Sequence, residues 1–355
     1  MTARDQITWS AFNEMALLIQ ARISPDVATH YWDYVHPPAL QITTPERLRK
    51  PRRVRASYTR FGPEASEAVI CLGGIANVAR RFDRLATHLS RDHQIVAMDW
   101  LGRGRSGWLP EQGDYHVETL IEQVLQLIGH LGLVRVAFVG SSLGGSVAMA
   151  IAASCPDLVH ALVLNDIGPF IPAKRRSRRA ESVARHYVFR QPIDLFTRSG
   201  AAQKHDGPVD DATLLINCFH QTTWSDEEDG RIYRHDPRAL AAYRSVAGED
   251  HDQWQDWHRL RCPVLVVHGL CSDALLPETV DRMVQSHKCD VLRVPDTGHT
   301  PTLTDPALLN GVASWLRHPE GEGTDRTLAA IDPPRRVLFT TDLPFKPKKT
   351  LENCA

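Results

Sequence analysis

The sequence predicts an α/β protein: a mostly parallel sheet with helices on both faces and a helical cap inserted late in the chain. Three observations predict it. Short apolar runs of strand length alternate with stretches of helical period, which implies parallel strands joined by crossover helices. At one junction, RVAFVGSSLGGS from Arg135 to Ser146, an apolar strand gives way abruptly to small residues and then a helix. Between Pro169 and Trp257 the alternation stops, and the sequence there is helix-compatible, aromatic-bearing and without a convincing strand.

Taken in order, residues 1–53 read as an N-terminal helical extension packed on the domain surface. Ile7 to Ile23 places Phe12, Met15, Ala16 and Ile19 at helical spacing, and Tyr31, Trp32, Tyr34 and the turn Pro37-Pro38 follow. Val54 to Phe61 alternates as a strand and opens the main sheet. Ala68–Leu72, Gln94–Met98, Val136–Val139, Ala161–Leu164, Val264–Val267 and Asp290–Val294 are the further strands. Phe82–Leu89, Glu118–Leu131, Val147–Ala153, Glu278–Ser286 and Pro306–Leu316 are helices between and after them. The core is therefore assigned to residues 54–169 and 258–317 and the cap to 170–257. The tail, 318–355, is rich in proline, glycine and charge and is expected to be flexible or extended.

With 355 residues and 43% apolar content the chain can bury a sizeable core. Its net charge of -1 gives no reason to expect nucleic acid or an anionic membrane as partner; a small-molecule acyl substrate is expected instead on the strength of the serine motif described below. Seven cysteines, an odd number without a C-x-x-C pair, fit a reducing cytoplasm. No secretory signal and no membrane-spanning run is predicted. The oligomeric state is not legible.

Within the turn, Gly140, Ser142 and Gly144 fit G-x-S-x-G, which presents a serine at the tip of a strained bend. Taking Ser141 as nucleophile would put Val139 and Leu143 in the crowded places, so the register selects Ser142. A serine needs a base, an orienting acid and an oxyanion pocket. His299, in PDTGHTPTLTDP after the last apolar strand, is the base candidate because such a loop can lean over the sheet edge. Asp273, in VVHGLCSDALLP, is the preferred acid; it can instead cap the following helix. Asp166, in LVLNDIGP, also follows a strand, but it leads into Gly168-Pro169 and is assigned to the turn. The oxyanion donors are placed at the N–H groups of Leu143 and Ile75, with Gly74 as the alternative to Ile75.

The motifs GSSLGG, DWLGRGRSG, LNDIGP, HGLCSD and TGHTP, in this order over about Val54 to Leu316, resemble those of the α/β-hydrolase superfamily and its bacterial cap-bearing members. Many relatives have His-Gly where this chain has Gly73-Gly74. The resemblance implies an α/β-hydrolase fold and a serine hydrolase needing no cofactor and no metal.

Three other signals point elsewhere and are set aside. Gly102, Gly104 and Gly107 form G-x-G-x-x-G, but Trp108, Leu109 and Pro110 follow where a phosphate-binding helix should begin, so Asp99 and Ser106 are expected to serve a turn. The run Lys174, Arg175, Arg176, Arg178, Arg179 reads as a solvated cap face, with steering of an anionic substrate as the alternative. Asp226 to Asp229 crowd together without a calcium-loop pattern. The expected function is ester hydrolysis through an acyl-enzyme, with thioester or carbon-carbon cleavage of an anionic acyl compound, or a non-catalytic binding role, as alternatives. Tyr187, Phe189, Phe219, Trp224, Tyr233 and Trp254 are candidates for an apolar pocket lining.

Overall fold

The computed structural model describes residues 7–25, 27–37, 51–203, 207 and 209–330. The expectations for Pro38, for 39–50 and for the tail from 331 to 355 fall outside them.

The described strands are β1 (Thr29–His36), β2 (Arg52–Phe61), β3 (Glu67–Leu72), β4 (Ile95–Met98), β5 (Arg135–Ser141), β6 (Val159–Asn165), β7 (Phe170–Ile171), β8 (Thr222–Ser225), β9 (Gly230–Tyr233), β10 (His251–Asp252), β11 (Val264–Gly269), β12 (Asp290–Val294) and β13 (Asp325–Thr327). The helices are α1 (Trp9–Ile23), α2 (Asp83–Leu89), α3 (Val117–His130), α4 (Leu143–Ser154), α5 (Ala173–Val183), α6 (Pro192–Gln203), α7 (Asp211–Gln221), α8 (Pro237–Val246), α9 (Trp254–Arg259), α10 (Pro277–Ser286) and α11 (Pro306–Arg317). One sheet in the order β1-β2-β4-β3-β5-β6-β11-β12-β13 carries the core, parallel from β4 to β13 and antiparallel at β1 and β2.

The continuous apolar runs follow from cover on both faces. In β5, Val136 and Phe138 join the core cluster with Ile70, Leu72 and Leu162, while Ala137 and Val139 join the opposite one with Val69, Cys71 and Val163. One face is closed by α3, α4, α9 and α10, the other by α2 and α11.

Three boundaries differ from expectation. The segment expected to be a helical appendage also adds β1, paired antiparallel with β2 at Trp32↔Ala56. Trp32 and Tyr34, two apart on one strand face, are buried against the core, so the aromatic cluster serves strand burial. In the tail, β13 pairs with β12 and Arg293 bridges Asp325 at 2.8 Å, so residues 325–327 extend the sheet. The insertion is helical through α5–α8 but also holds the hairpin β8–β9, and β7 pairs with β10 where the chain leaves and rejoins the core.

The cap has its own small core. Phe12 and Ala16 of α1 are buried with Phe189, Leu195, Phe196, Leu214, Leu215 and Cys218. At its other end α1 reaches the main domain, where Ser24 bonds both members of the buried Arg80–Asp83 pair. No helix of the described residues is long and apolar enough to cross a membrane.

Candidate active site

Strand β5 ends at Ser141 and α4 begins at Leu143, so Ser142 alone makes the turn. Its backbone is left-handed in φ (φ 50, ψ -118), a conformation that costs a non-glycine residue on the order of 1–3 kcal/mol. The neighbouring strand explains the glycine two residues on. A Cβ on Gly144 would lie 2.1 Å from the Leu72 carbonyl oxygen. Ser141 points away into the core, where its hydroxyl accepts from Asn165 Nδ2 at 2.9 Å.

His299 stands 2.9 Å from Ser142 Oγ through Nε2 and 2.9 Å from Asp166 Oδ2 through Nδ1. With the Nδ1 proton donated to the carboxylate, Nε2 is left to accept from the serine hydroxyl. The carboxylate bonded to His299 is therefore Asp166, and the expectation that Asp273 would stand there is corrected. The sheet register shows why. Ser141 pairs with Asn165 across β5 and β6, so the next residue on each strand, Ser142 and Asp166, emerge side by side at the carboxyl edge. Asp166 is itself left-handed (φ 53) and fully buried. Its carboxylate also accepts from Gly269 N at 2.9 Å, Ser272 Oγ at 2.5 Å and Thr300 N at 3.4 Å.

Asp273 lies farther along the loop after β11 and turns to the cap. It accepts from Arg175 Nε at 2.5 Å and also pairs with Arg178, both on α5. Burial pushes its carboxyl up, but Arg175 and Arg178 outweigh this and hold it below the ordinary carboxylate range. Two of the four arginines expected on a solvated face are thus latched to the core, and Arg176 donates to the Glu249 carbonyl.

The loop after β3 faces the serine. A Cβ on Gly74 would be 3.6 Å from Ser142 Cβ. The carbonyls of its first three residues are held by donors: Gly73 by Trp100 Nε1 at 2.8 Å, Gly74 by Asn77 N at 3.1 Å and Ile75 by Arg103 Nε at 3.0 Å. What this loop offers an anionic oxygen is its N–H groups. Leu143, first residue of α4, likewise has an N–H without an acceptor inside its helix. Leu143, Ile75 and Gly74 all border the same cavity as Ser142 and His299.

That cavity has a volume of about 1160 Å³ and lies between the sheet edge and the cap. Of the six aromatics expected to line a pocket, Tyr187 and Tyr233 do so. Phe189 and Trp254 are core residues, Phe219 packs against the cap core and Trp224 is exposed. The glycine fingerprint resolves as expected into a turn. Asp99 accepts from Ser57 Oγ, Ala79 N and Arg105 N, while Ser106 Oγ donates to the Asp99 carbonyl.

Sequence reasoning passed over Asn165 and Ser272. Asn165 Nδ2 also donates to the Pro301 carbonyl at 3.0 Å and so straps the His299 loop to the strand end. The available signal was the polar pair Asn165-Asp166 closing an otherwise apolar strand.

A model of the alpha/beta hydrolase family matches residues 69–312. The chain is 30% identical over 263 residues, 71% of its length and 89% of the relative's, to a 3-hydroxybutyrate-oligomer hydrolase of Cupriavidus necator. It is 28% identical to an esterase of Mycobacterium tuberculosis over 276 residues, covering 74% of this chain and 87% of that one. Among solved structures, an alpha/beta hydrolase from Novosphingobium aromaticivorans superposes with a TM-score of 0.69 at 24% identity, covering 82% of this chain and 98% of the other. The fold, the matched length and these relatives agree, and the chain belongs to the alpha/beta hydrolase family.

Proposed function

We propose that the protein hydrolyses carboxylic esters through a covalent acyl-enzyme on Ser142. The observation that carries the reading is His299 bridging Ser142 and a buried, fully hydrogen-bonded Asp166 at the wall of a large cavity. Ser142 Oγ attacks the carbonyl carbon as its proton passes to His299 Nε2. The N–H groups of Leu143 and Ile75 receive the oxyanion, each such donor being worth about 3 kcal/mol. Asp166 holds the imidazole in its tautomer and balances the imidazolium. His299 then gives the proton to the departing alkoxide, and an alcohol leaves. Water, deprotonated by the same nitrogen, attacks the acyl-serine and releases the acid.

The two relatives favour an ester over other acyl bonds, since one is an esterase and an oligomer of a hydroxy acid is an oligoester. The test is a panel of p-nitrophenyl esters, acyl thioesters and ring-cleavage products, run beside Ser142→Ala and a fluorophosphonate label. Ester turnover lost in Ser142→Ala, with one adduct mapped to Ser142, is expected. An adduct on Ser141, or turnover surviving in Ser142→Ala, refutes the proposal.

A further inference from the structure

The cavity wall is lopsided in charge. Eight arginines border it against three carboxylates, Glu118, Asp273 and Asp296. Several of the arginines are already engaged: Arg103 by the Ile75 and Leu101 carbonyls, Arg175 and Arg178 by Asp273, Arg176 by the Glu249 carbonyl.

Arg198 of α6 differs. Its guanidinium carbon lies 3.4 Å over the Tyr187 ring, and Tyr187 is stacked in turn on buried Phe189. Its Nε is buried without a hydrogen-bond partner, and no carboxylate of the described residues forms an ion pair with it. A guanidinium clamped on a ring has already lost much of its rotamer freedom, and a buried donor left unpaired is costly. Arg198 still borders the cavity, so atoms other than the enclosed Nε are what an acceptor arriving with the ligand would meet. The guanidinium donates to the Tyr233 hydroxyl oxygen, whose own hydrogen is then a second donor for a ligand. The place connects to the reacting atoms through residues in contact: Tyr233 stacks on His235, His235 bridges Arg103, and Arg103 holds the Ile75 carbonyl.

We infer that Arg198, with Tyr233 beside it, binds a carboxylate of the substrate, so that the esters taken by this enzyme carry a free acid group. The inference rests on the ester-hydrolase reading for the reaction, though not for the binding. A single guanidinium balances a single negative charge, which suits a carboxylate better than a phosphate dianion; the planar fork of two parallel N–H bonds suits it as well.

Two pairs of esters test the position of the charge: 4-nitrophenyl hydrogen glutarate and its methyl ester, with the acid on the acyl side, and 3-butyryloxybutyrate and its methyl ester, with the acid on the alcohol side. For at least one pair, Arg198→Gln is expected to lower the acid-over-methyl-ester preference in kcat/KM roughly tenfold to a hundredfold, the range of one charged hydrogen-bonded contact. The loss should appear mainly in KM, and Arg198→Lys should restore part of it. An unchanged preference in both pairs overturns the inference, because a purely structural Arg198 would depress acid and methyl ester alike. Calorimetric titration of monomethyl glutarate into Ser142→Ala, with and without Arg198→Gln, separates the two claims. Binding weakened by the second substitution supports the subsite even if none of the four esters is turned over. Binding unaffected by it, or inorganic phosphate binding more tightly than the monoester acid, overturns it.

Discussion

Replacing Asp166 by Asn is the sharpest probe of the site, because the structure specifies what the amide can and cannot imitate. Oδ2 accepts from His299 Nδ1, Ser272 Oγ and Thr300 N, whereas Oδ1 accepts from Gly269 N alone. An asparagine keeps most of these bonds with its oxygen toward His299 and its NH2 against the Gly269 N–H, at a cost of about 1–3 kcal/mol for that buried mismatch. The imidazole tautomer then survives, but the negative charge does not. A carboxylate about 4 Å from an imidazolium is worth about 4 kcal/mol at an effective dielectric of about 20. That is roughly a thousandfold in kcat, and the loss approaches roughly 10⁴ if the amide takes the other orientation and presents the wrong tautomer. The matched control is Asp273→Asn, which removes a half-exposed pairing with Arg175 and Arg178 and should change kcat less than about fivefold. The assay is steady-state kcat on one p-nitrophenyl ester, with circular dichroism and a melting curve to verify folding. A folded Asp166→Asn protein retaining a tenth of wild-type kcat, or an inert Asp273→Asn protein, would refute the assignment.

Two further expectations follow from packing and charge. In Gly144→Ala the added methyl meets the Leu72 backbone, which cannot swing aside, so destabilisation of roughly 3 kcal/mol and loss of fluorophosphonate labelling are expected; Gly113→Ala, whose methyl meets nothing within 4 Å, should melt within about a degree of wild type. Burial, with help from Arg103 and His186, lowers the His235 pKa to about 4, so its neutral form stabilises the fold fully above pH 6.5, and that contribution is lost as pH falls from 6.5 through 4. It amounts to at most about 3 kcal/mol. His235→Gln should therefore lose less Tm than wild type between pH 7 and pH 4.5, and parallel curves would sink the idea.

The bend at Ser142 was legible because its signal is steric and local: glycines flanking Ser142 announce a turn that only one register satisfies. The place of His299 was legible because a loop at the carboxyl end of β12, the last apolar strand, has few places to go. The acid was not. Asp166 and Asp273 both follow strands, and the difference between them is a left-handed φ at Asp166 and a ladder that sets it beside Ser142, properties of neighbouring strands rather than of either short sequence. Strand β1 was missed for a related reason. Its alternating Trp32 and Tyr34 are visible, but only pairing with β2 distinguishes an edge strand from an aromatic patch on a surface segment. Arg198 escaped attention because an isolated arginine carries no motif; its meaning comes from Tyr187 beneath it and from its place on the cavity wall.

Helix α1 has one end among the cap residues Phe196 and Leu215 and the other bonded through Ser24 to Arg80 and Asp83 of the main domain. It therefore acts as an outrigger, tying the roof over Ser142 to the main domain from outside the cleft. Ser142, His299 and Asp166 owe nothing to it, so a chain started after Ile23 would keep its chemical competence while the roof settled to a different height. On the proposed reading, removal of α1 is expected to change selectivity for acyl chain length more than the rate on a short ester, which a chain-length series of p-nitrophenyl esters would read.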